Sequence, residues 1–359
     1  MRVKLKDVCE KATSNLKQSD ILSLDGKYPV YGASGYLGNI DSYHQDKPYI
    51  AVVKDGAGIG RTTILPPKSS VIGTMQYLIP KETVMPEYLY YVVKHMRLQK
   101  YYTGATIPHI YFKDYQNEEF NLADSIRQRE IVKVLKNVED TIRYQEIEIN
   151  KFDELIKARF IEMFGDININ NKNWHTEHLG KLCNIVRGSS PRPIEKYLGG
   201  DIPWIKIGDA TDGDNIYLNS TKEHIIREGV NKSRFVKEGS LIFANCGVSL
   251  GFARIISFDG CIHDGWLALE NIDSRLNKEF LLLSLNQLTD HFRIIAPSGT
   301  QPNLNIAIMQ NFMQVIPPME LQETFVSFRR QVDKSREEVK KSLEKTQQLY
   351  DSLMQEYFG

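Results

Sequence analysis

Two long stretches of the chain decide its fold. Residues 126–165 read IRQREIVKVLKNVEDTIRYQEIEINKFDELIKARFIEMFG, and residues 320–359 read ELQETFVSFRRQVDKSREEVKKSLEKTQQLYDSLMQEYFG. The second stretch aligns with the first without a gap at a constant shift of 194 residues, so that Gln128 meets Gln322. Self-similarity at a long period indicates a duplicated module rather than a solenoid. We therefore expect two copies of one large module, each followed by the same long helix.

Both stretches carry the pattern of a coiled-coil helix. Apolar residues within 126–163 recur at alternating spacings of four and three, which is the 3.5-residue repeat of a coiled-coil seam. Ser125 and Gln128 form a capping-box pattern at its start. Such a helix would be roughly 57 Å long, and its balanced charges favour contact with protein over contact with DNA. The predicted seam and docking residues are Ile131, Leu135, Val138, Ile142, Ile149 and Ile156 in the first helix and Val332, Val339, Leu343 and Leu353 in the second, 320–357.

The rest of the sequence predicts an α+β fold with a pseudo-two-fold repeat. Residues 1–122 contain short strand-like runs separated by turn signals, and residues 168–318 repeat this character. We predict strands at 49–54, 70–79, 202–207, 234–245 and 251–258, with helices at 86–99 and 279–289. The expected organisation is a first domain at 1–122, a spacer helix at 123–167, a second domain at 168–318 and a C-terminal spacer helix at 319–359.

Composition excludes several classes of protein. The chain has 359 residues with 45 basic and 45 acidic side chains, which argues against a free-standing, non-specific nucleic-acid binder. No apolar run reaches membrane-spanning length and the N-terminus lacks a signal-peptide core, so we expect a cytoplasmic protein. The four cysteines lie far apart and read as buried thiols. His175 and His178 lack matching ligands, so no zinc site is predicted.

The sequence also lacks the motifs of ATP-hydrolysing enzymes and of adenine methyltransferases. There is no G-x-x-x-x-G-K-[ST] phosphate loop, and neither Pro-Pro pair belongs to an Asn/Asp-Pro-Pro-Tyr/Phe box. The segment Gly56–Gly60 has the wrong glycine spacing for a dinucleotide loop and reads as a tight turn. It aligns with Gly247–Gly251, and Thr106-x-Pro108 aligns with Thr300-x-Pro302. The chain is therefore predicted to be non-catalytic and to bind no cofactor itself.

Several motifs together resemble the specificity subunit of a type I restriction–modification system. They are GKYPVYGASGYLG at 26–38, GATIPHIYFKDY at 104–115, GSSP at 188–191, GDIPWI at 200–205 and SGTQPNL at 298–304, which runs into Ile316-Pro317-Pro318. The motifs occur in order on the internal repeat and span nearly the whole chain.

The resemblance implies two target-recognition domains held apart by two long helices that pair as an antiparallel coiled coil. Each domain would read one half of a bipartite, asymmetric site in double-stranded DNA. The partners would be two methyltransferase (M) subunits and the restriction (R) subunits that translocate DNA. S-adenosylmethionine, ATP and Mg²⁺ would be bound by these partners, and the assembled complex would be an adenine-N6 methyltransferase and endonuclease.

Candidate DNA contacts are polar or aromatic residues near the glycine turns and in the shared motifs. Arginine, asparagine and glutamine can pair with base edges in the major groove, whereas lysine more often holds a phosphate. The candidates are Lys54, Arg61, Thr62, Gln76, His109, Tyr111 and Lys113 in the first domain, and Arg187, Ser189, Arg192, Lys206, Asn245, Arg254, Gln301, Asn303 and Asn305 in the second.

Two other functions remain open from the sequence. The chain could be the recognition subunit of a different restriction system whose nuclease and methylase are fused in one partner. It could also be a coiled-coil scaffold that joins two protein-binding domains. A measured preference among DNA sequences would favour either kind of restriction-system subunit over the protein scaffold.

Overall fold

The chain divides into two compact units. Unit 1 consists of Met1–Ile149 with Glu338–Gly359, and unit 2 consists of Asn150–Glu337. The computed structural model describes residues 1–21, 26–104, 108–211, 216–297 and 303–359. Both long helices are shared between the units, whereas the sequence predicted them as separate spacer segments.

Short strands make up most of the described part of unit 1. The strands are β1 (Arg2–Lys4), β2 (Cys9–Thr13), β3 (Tyr28–Gly32), β4 (Gly35–Ile40), β5 (Tyr49–Val53), β6 (Thr62–Leu65), β7 (Ser70–Val71), β8 (Met75–Pro80) and β9 (Glu119–Asn121). The helices are α1 (Leu5–Val8), α2 (Pro86–His95), α3 (Phe112–Tyr115) and the first part of α4 (Ser125–Phe164), with 3-10 turns at Gln18–Asp20 and Leu98–Tyr101.

One sheet organises the core of unit 1. Its strand order is β2-β8-β5-β6, with antiparallel neighbours. A second sheet has the order β4-β3-β7, and β1 pairs with β9. One face of the first sheet packs against α2, where Ile50, Leu78 and Leu89 are fully buried. Ile131 of α4 and Met354 of the C-terminal helix belong to the same core.

Unit 2 repeats this plan with more strands. Its strands are β10 (His175–His178), β11 (Asn184–Arg187), β12 (Leu198–Ile205), β13 (Tyr217–Leu218), β14 (Glu223–Ile225), β15 (Arg234–Val236), β16 (Leu241–Ala244), β17 (Ala253–Ile256), β18 (Gly260–Ile262), β19 (Trp266–Glu270) and β20 (Met313–Ile316). Its helices are α5 (Leu179–Leu182), α6 (Arg227–Val230), α7 (Lys278–Gln287), α8 (Thr289–Ile295), α9 (Ile306–Asn311) and the first part of α10 (Met319–Phe358), with 3-10 turns at Ile194–Lys196 and Ile207–Thr211.

The main sheet of unit 2 corresponds to that of unit 1. Its order is β11-β19-β16-β17-β13, and α7 packs on one face. A second sheet has the order β14-β12-β18-β15, and β10 pairs with β20. Phe160 and Phe164 of α4 pack against Phe325 of α10 in the main core.

The long helices run antiparallel in each unit. In unit 1, Tyr350 donates a hydrogen bond to Glu139 at 2.9 Å, and Gln145 donates one to Ser342 at 2.8 Å. In unit 2, Arg336 pairs with Asp153 at 2.6 Å. Residue numbers on α10 therefore fall as those on α4 rise. The predicted long helices are confirmed, and every predicted seam residue is buried or half-buried.

Some predicted elements need correction. The helix predicted at 86–99 ends at His95, because Arg97 adopts the left-handed conformation with φ of 50°. The run at 234–245 is two strands, β15 and β16, separated by a turn at Gly239, whose φ is 79°. The run at 70–79 likewise divides into β7 and β8. Helix α8, directly after α7, was not predicted.

Two further features concern the whole described chain. Cys9, Cys183 and Cys261 are buried and Cys246 is half-buried. Burial raises the pKa of both the Cys9 and the Cys183 thiol to about 12. Within the described ranges, no helix is long and apolar enough to cross a membrane.

Candidate nucleic-acid interface

The two units share one backbone arrangement at the end of an inner strand of the main sheet, which is β5 in unit 1 and β16 in unit 2. In unit 1, the Ile110 N–H donates to the Lys54 carbonyl at 2.9 Å, directly after β5. In unit 2, the Leu304 N–H donates to the Asn245 carbonyl at 2.8 Å, directly after β16. Isolated bridges join Asp55 to His109 and Cys246 to Asn303. In both units, the segment that begins the glycine turn is therefore hydrogen-bonded to an equivalent neighbouring segment.

Glycine is required in these turns for conformational reasons. Gly60 has a φ of 78°, and a Cβ placed on it would lie 2.6 Å from the Gln99 nitrogen. Gly251 has a φ of 92° in the equivalent turn. Only glycine adopts this left-handed conformation without strain. The turn interpretation from the sequence agrees with these conformations.

The side chains on this common frame differ between the units. Strand pairing sets Gln76 between Val52 and Thr13 in unit 1. The same pairing sets Leu267 between Phe243 and Arg187 in unit 2. Lys54 and Gln76 of unit 1 thus correspond to Asn245 and Leu267 of unit 2. The same strand arrangement therefore carries chemically different side chains in the two units.

In unit 1, one face of this arrangement contains a cleft of about 440 Å³. We call it the unit 1 cleft, and its lining residues are Lys11, Thr13, Lys54, Asp55, Gln76, Ile110, Tyr111, Phe112, Lys113 and Gln116. Four of the predicted DNA contacts, Lys54, Gln76, Tyr111 and Lys113, meet there. Lys11 and Thr13 were not predicted, although their alternation along β2 places both on one face of the strand.

The rim of the unit 1 cleft combines cations with an exposed aromatic ring. Tyr111 is 51% exposed, and the His109 ring stacks on it with centroids 6.4 Å apart. Lys113 Nζ lies 5.4 Å from the centre of the Tyr111 ring. His109 Nδ1 is 2.7 Å from an Asp55 carboxylate oxygen, which orients the imidazole. Lys54 Nζ lies 3.6 Å from the other Asp55 oxygen.

The floor of the unit 1 cleft contains a buried amide. Gln76 is 1% exposed, and its Nε2 has no hydrogen-bond partner among the described residues. Burial of an unpaired amide donor costs about 1–3 kcal/mol. The fold does not demand this cost, because Leu267 occupies the equivalent position in unit 2.

Two further candidates of unit 1 lie apart from the cleft, around the glycine turn. Arg61 donates to the Ala33 carbonyl at 2.9 Å and remains exposed. Thr62 donates to the Gly60 carbonyl at 3.1 Å. Arg61 is available at the surface, whereas the Thr62 hydroxyl already closes the turn.

In unit 2, several candidates gather around Asp264, which the sequence analysis missed. Arg187 Nε donates to the Asp264 carbonyl at 2.8 Å, and an Arg192 nitrogen lies 3.8 Å from its carboxylate. Ser190 donates to the same carboxylate at 3.0 Å. Ser189 lies beside this group and donates to the Lys232 carbonyl at 3.0 Å. Asp264 therefore holds Arg187 through its carbonyl, and the exposed Arg192 lies beside its carboxylate.

His263 adds a titratable group next to this cluster. Its Nδ1 accepts the Gly265 N–H at 3.0 Å, so this nitrogen carries no proton for the nearby Asp264 carboxylate. Burial is the main cause that lowers the pKa of His263, and the neighbouring Asp264 carboxylate opposes it. Burial therefore favours the neutral form of the ring.

Asn245 and Asn303 lie side by side near the same aspartate. The Asn245 amide donates to Asn303 at 3.5 Å, and its main-chain N–H donates to the Gly265 carbonyl at 2.9 Å. Asn245 is fully buried, whereas Asn303 is half-exposed. Lys206 is paired with Glu223 at 2.6 Å. Asn303 is therefore the better placed amide of the pair for an external contact.

Three predicted contacts of unit 2 are located differently. Arg254 is 5% exposed and donates to the Ala253 carbonyl at 2.7 Å, so it would have to leave this position to touch DNA. Asn305 caps α9, because its side chain accepts the Ile308 N–H at 2.9 Å. Gln301 lies outside the described residues, as do Thr106, Thr300 and Pro302 of the repeated motif. Residue type alone did not distinguish these structural positions from surface ones.

The chain is therefore a two-domain protein built from one duplicated module, with different side chains on a common frame. Residues 1–152 and 171–348 match the type I restriction modification DNA specificity domain, and the chain belongs to this family. The type I restriction enzyme MjaIX specificity subunit of Methanocaldococcus jannaschii is 24% identical over 281 residues. That alignment covers 70% of this chain and 63% of the relative, so it spans less than two thirds of the relative's length.

Solved structures share the fold over nearly the whole chain. The type I restriction–modification S subunit from M. genitalium superposes with a TM-score of 0.62 at 16% identity, covering 100% of this chain and 96% of that one. The HsdS subunit from Thermoanaerobacter tengcongensis gives 0.52 at 16% identity, with coverage of 100% and 96%. A chain from a study of type I R-M complex assembly and conformational transition gives 0.66 at 15% identity, with coverage of 99% and 97%.

Proposed function

We propose that this chain is the DNA sequence-specificity subunit of a type I restriction–modification complex. Each unit reads one half of a bipartite, asymmetric site in double-stranded DNA. The observation that carries this proposal is the repeated frame: the hydrogen bonds from Ile110 to Lys54 and from Leu304 to Asn245 are equivalent, but the side chains around them differ. A common frame with exchanged side chains is what two readers of different sequences require.

Unit 1 has the chemistry to hold a phosphate and a base edge together. Lys11 and Lys113 are exposed at the unit 1 cleft, and lysine side chains anchor phosphates. His109, oriented by Asp55, offers an imidazole nitrogen to the groove, and Tyr111 offers a stacking surface. Hydrogen bonds to base edges supply the sequence information.

Unit 2 reads with a different set of groups. Arg187 and Arg192 are exposed beside Asp264, and the Asp264 carbonyl accepts a hydrogen bond from Arg187. An arginine in a fixed orientation can bind guanine through two hydrogen bonds. Asn303 adds an amide at the position that His109 occupies in unit 1. Because equivalent positions carry different groups, the two half-sites differ in sequence.

The chain itself carries out no methylation or cleavage in this proposal. Two methyltransferase subunits and the restriction subunits supply the active sites and bind S-adenosylmethionine, ATP and Mg²⁺. Apolar side chains exposed on the long helices support protein docking there: Ile126, Val134, Tyr144, Ile147 and Leu349 in unit 1, and Leu155 and Ile161 in unit 2. Two repeats favour two methyltransferase subunits. Since the DNA substrate is cytoplasmic, we propose the same location for the chain.

Mapping N6-methyladenine across the host genome tests the proposal. We expect a bipartite motif with two different half-sites, an unread spacer between them and methylation that disappears when this gene is deleted. The matched control is deletion of the gene and its restoration on a plasmid, which should restore the same motif. A purified complex with its methyltransferase that shows no preference among DNA sequences would contradict the proposal and favour a protein scaffold.

A further inference from the structure

A buried glutamine occupies the first turn of each long helix. Gln128 of α4 is 1% exposed and Gln322 of α10 is 0% exposed. The two residues are equivalent in the internal repeat. Buried glutamines are uncommon, because the amide must find partners for its oxygen and both of its hydrogens.

Gln128 uses its whole amide on main-chain groups of unit 1. Its Oε1 accepts the Met85 N–H at 2.8 Å. Its Nε2 donates to the Thr83 carbonyl at 3.1 Å and to the Ala123 carbonyl at 2.9 Å. Thr83 and Met85 lie directly before α2, and Ala123 lies directly before α4.

Gln322 repeats these three hydrogen bonds in unit 2. Its Oε1 accepts the Asn277 N–H at 2.9 Å. Its Nε2 donates to the Arg275 carbonyl at 2.9 Å and to the Pro317 carbonyl at 2.7 Å. Arg275 and Asn277 lie directly before α7, and Pro317 lies before α10. Each glutamine thus ties the start of a module helix to the start of a long helix.

The surrounding side chains differ between the units although the hydrogen bonds do not. Met85 corresponds to Asn277, and Ala123 corresponds to Pro317. This divergence has no effect on the tie, because every partner is a main-chain N–H or carbonyl. Other polar contacts between the same helix pairs are not shared: Tyr91 donates to Glu139 in unit 1, whereas Arg330 pairs with Glu279 in unit 2.

We infer that Gln128 and Gln322 are positioning residues that set the direction in which each recognition unit leaves its long helix, and thereby the spacer length accepted between the half-sites. This inference rests on the proposed function. Each amide fixes two segments at once, so it restricts the angle between α2 and α4 in unit 1 and between α7 and α10 in unit 2.

A small change of this angle is enough to matter. One base pair corresponds to about 3.4 Å along the duplex. We take about 13 Å, the radius of gyration of a 100-residue domain, as the distance from this joint to the DNA-contacting surface. At that distance, a displacement of one base pair needs a tilt of only about 15°. A looser joint would therefore accept spacers that the rigid joint rejects, while the side chains that read the bases stay unchanged.

The test uses the complete complex with its methyltransferase and plasmids that carry the native half-sites with the native spacer or with one base pair more or less. Gln128→Glu keeps the shape and the acceptor for the Met85 N–H but loses both donors. Gln128→Met keeps the approximate length and loses all three hydrogen bonds. Gln322→Glu and Gln322→Met are the matched variants of unit 2, and Gln347→Met, at an exposed position of α10, is the control.

We expect the preference for the native spacer over the altered spacers to fall about tenfold in the Gln128 and Gln322 variants, which corresponds to the net free energy of one or two of the hydrogen bonds that each variant loses. The half-site sequences should not change, and Gln347→Met should behave like the wild type. An unchanged spacer preference in a folded variant complex overturns the inference, as does a change of half-site sequence.

Folding is checked by thermal denaturation of each variant complex. If neither Gln128→Glu nor Gln128→Met gives a folded complex, and the Gln322 pair behaves likewise, the glutamines are folding determinants and the positioning role is wrong. If the wild-type complex recognises no bipartite motif, the proposed function itself fails. The two failures are therefore distinguishable.

Discussion

Replacement of Gln76 by leucine separates stability from DNA reading in unit 1. Gln76 shares a face of β8 with Leu78, which is fully buried in the main core. Its Nε2 finds no partner within the described chain. Leu267 occupies the equivalent place in unit 2 at 0% exposure, so the frame accepts leucine there. We therefore expect Gln76→Leu to stabilise the protein. It should also weaken recognition of one half-site if DNA opens the unit 1 cleft and reaches this amide, which is 1% exposed.

The magnitude follows from the unpaired amide. Removal of a buried donor without a partner recovers about 1–3 kcal/mol. For a unit of 150–250 residues, each kcal/mol shifts the midpoint of thermal unfolding by about 2–4 °C, so the midpoint should rise by about 2–12 °C. If the amide hydrogen-bonds a base, the lost pairing should weaken discrimination at that base by about 1–3 kcal/mol, which is about 5-fold to 150-fold.

Thermal unfolding of the isolated chain measures the first effect, and competition between duplexes with single-base changes in the half-sites measures the second. Leu267→Gln is the matched control, because it introduces the same amide into the apolar core of unit 2. That variant should lower the midpoint, since burial of an amide without a partner is unfavourable. Discrimination between bases at the half-site read by unit 2 should change only if the substitution unfolds unit 2.

A lower midpoint for Gln76→Leu would refute the stability argument, because the amide would then make contacts that stabilise the native state. A higher midpoint with unchanged discrimination at every base would show that Gln76 does not read DNA. The unit 1 cleft would then act through its other lining residues, among them Lys11, Tyr111 and Lys113.

Three further predictions concern the ion pairs, the thiols and the long helices. Glu279→Gln removes a carboxylate that lies 3.6 Å from the buried Arg329 guanidinium and that also pairs with Arg330. Because Asp333 still pairs with Arg329 at 2.6 Å, the free energy of unfolding should fall by only about 1.5–3 kcal/mol; an unchanged midpoint in urea would contradict this. Cys9 and Cys183, whose pKa values burial raises to about 12, should react with a thiol reagent at pH 8 only after unfolding, and labelling of the native protein at either residue would be inconsistent with the structure. Removal of one heptad within 131–159 together with its partner heptad within 325–353 should change the spacer length seen in methylation mapping, and an identical spacer would show that the helices do not set it.

The long helices were predictable because their signal is local. A 3.5-residue repeat records which side of a helix is covered, and residues three and four apart define that side without knowledge of the partner. The seam residues Leu135 and Val332 are buried as expected. Predicted helix 86–99 failed at its end, where Arg97 takes a left-handed conformation that no periodicity signals.

The candidate interface was predictable in outline only. Equivalent glycine turns in the two repeats indicated this region, and Lys54, Tyr111 and Lys113 line one cleft there. Gln76, Asn245 and Arg254 are polar residues in or beside strands, and their type indicated exposure, yet all three are buried. Lys11 and Asp264 were missed because strand pairing brings them to the interface from distant parts of the chain.

The sequence by itself therefore determined the duplication, the two long helices and the family, since these depend on repeats, short-range periodicity and motifs along the chain. Only the tertiary structure decided which polar side chains face outward and which hydrogen-bond donors lack a partner. It also decided that Gln128 and Gln322 connect the module helices to the long helices. The physical reason is that the exposure of a strand residue and the partner of a buried amide depend on segments far away in sequence, which come together only when the sheets and helices pack.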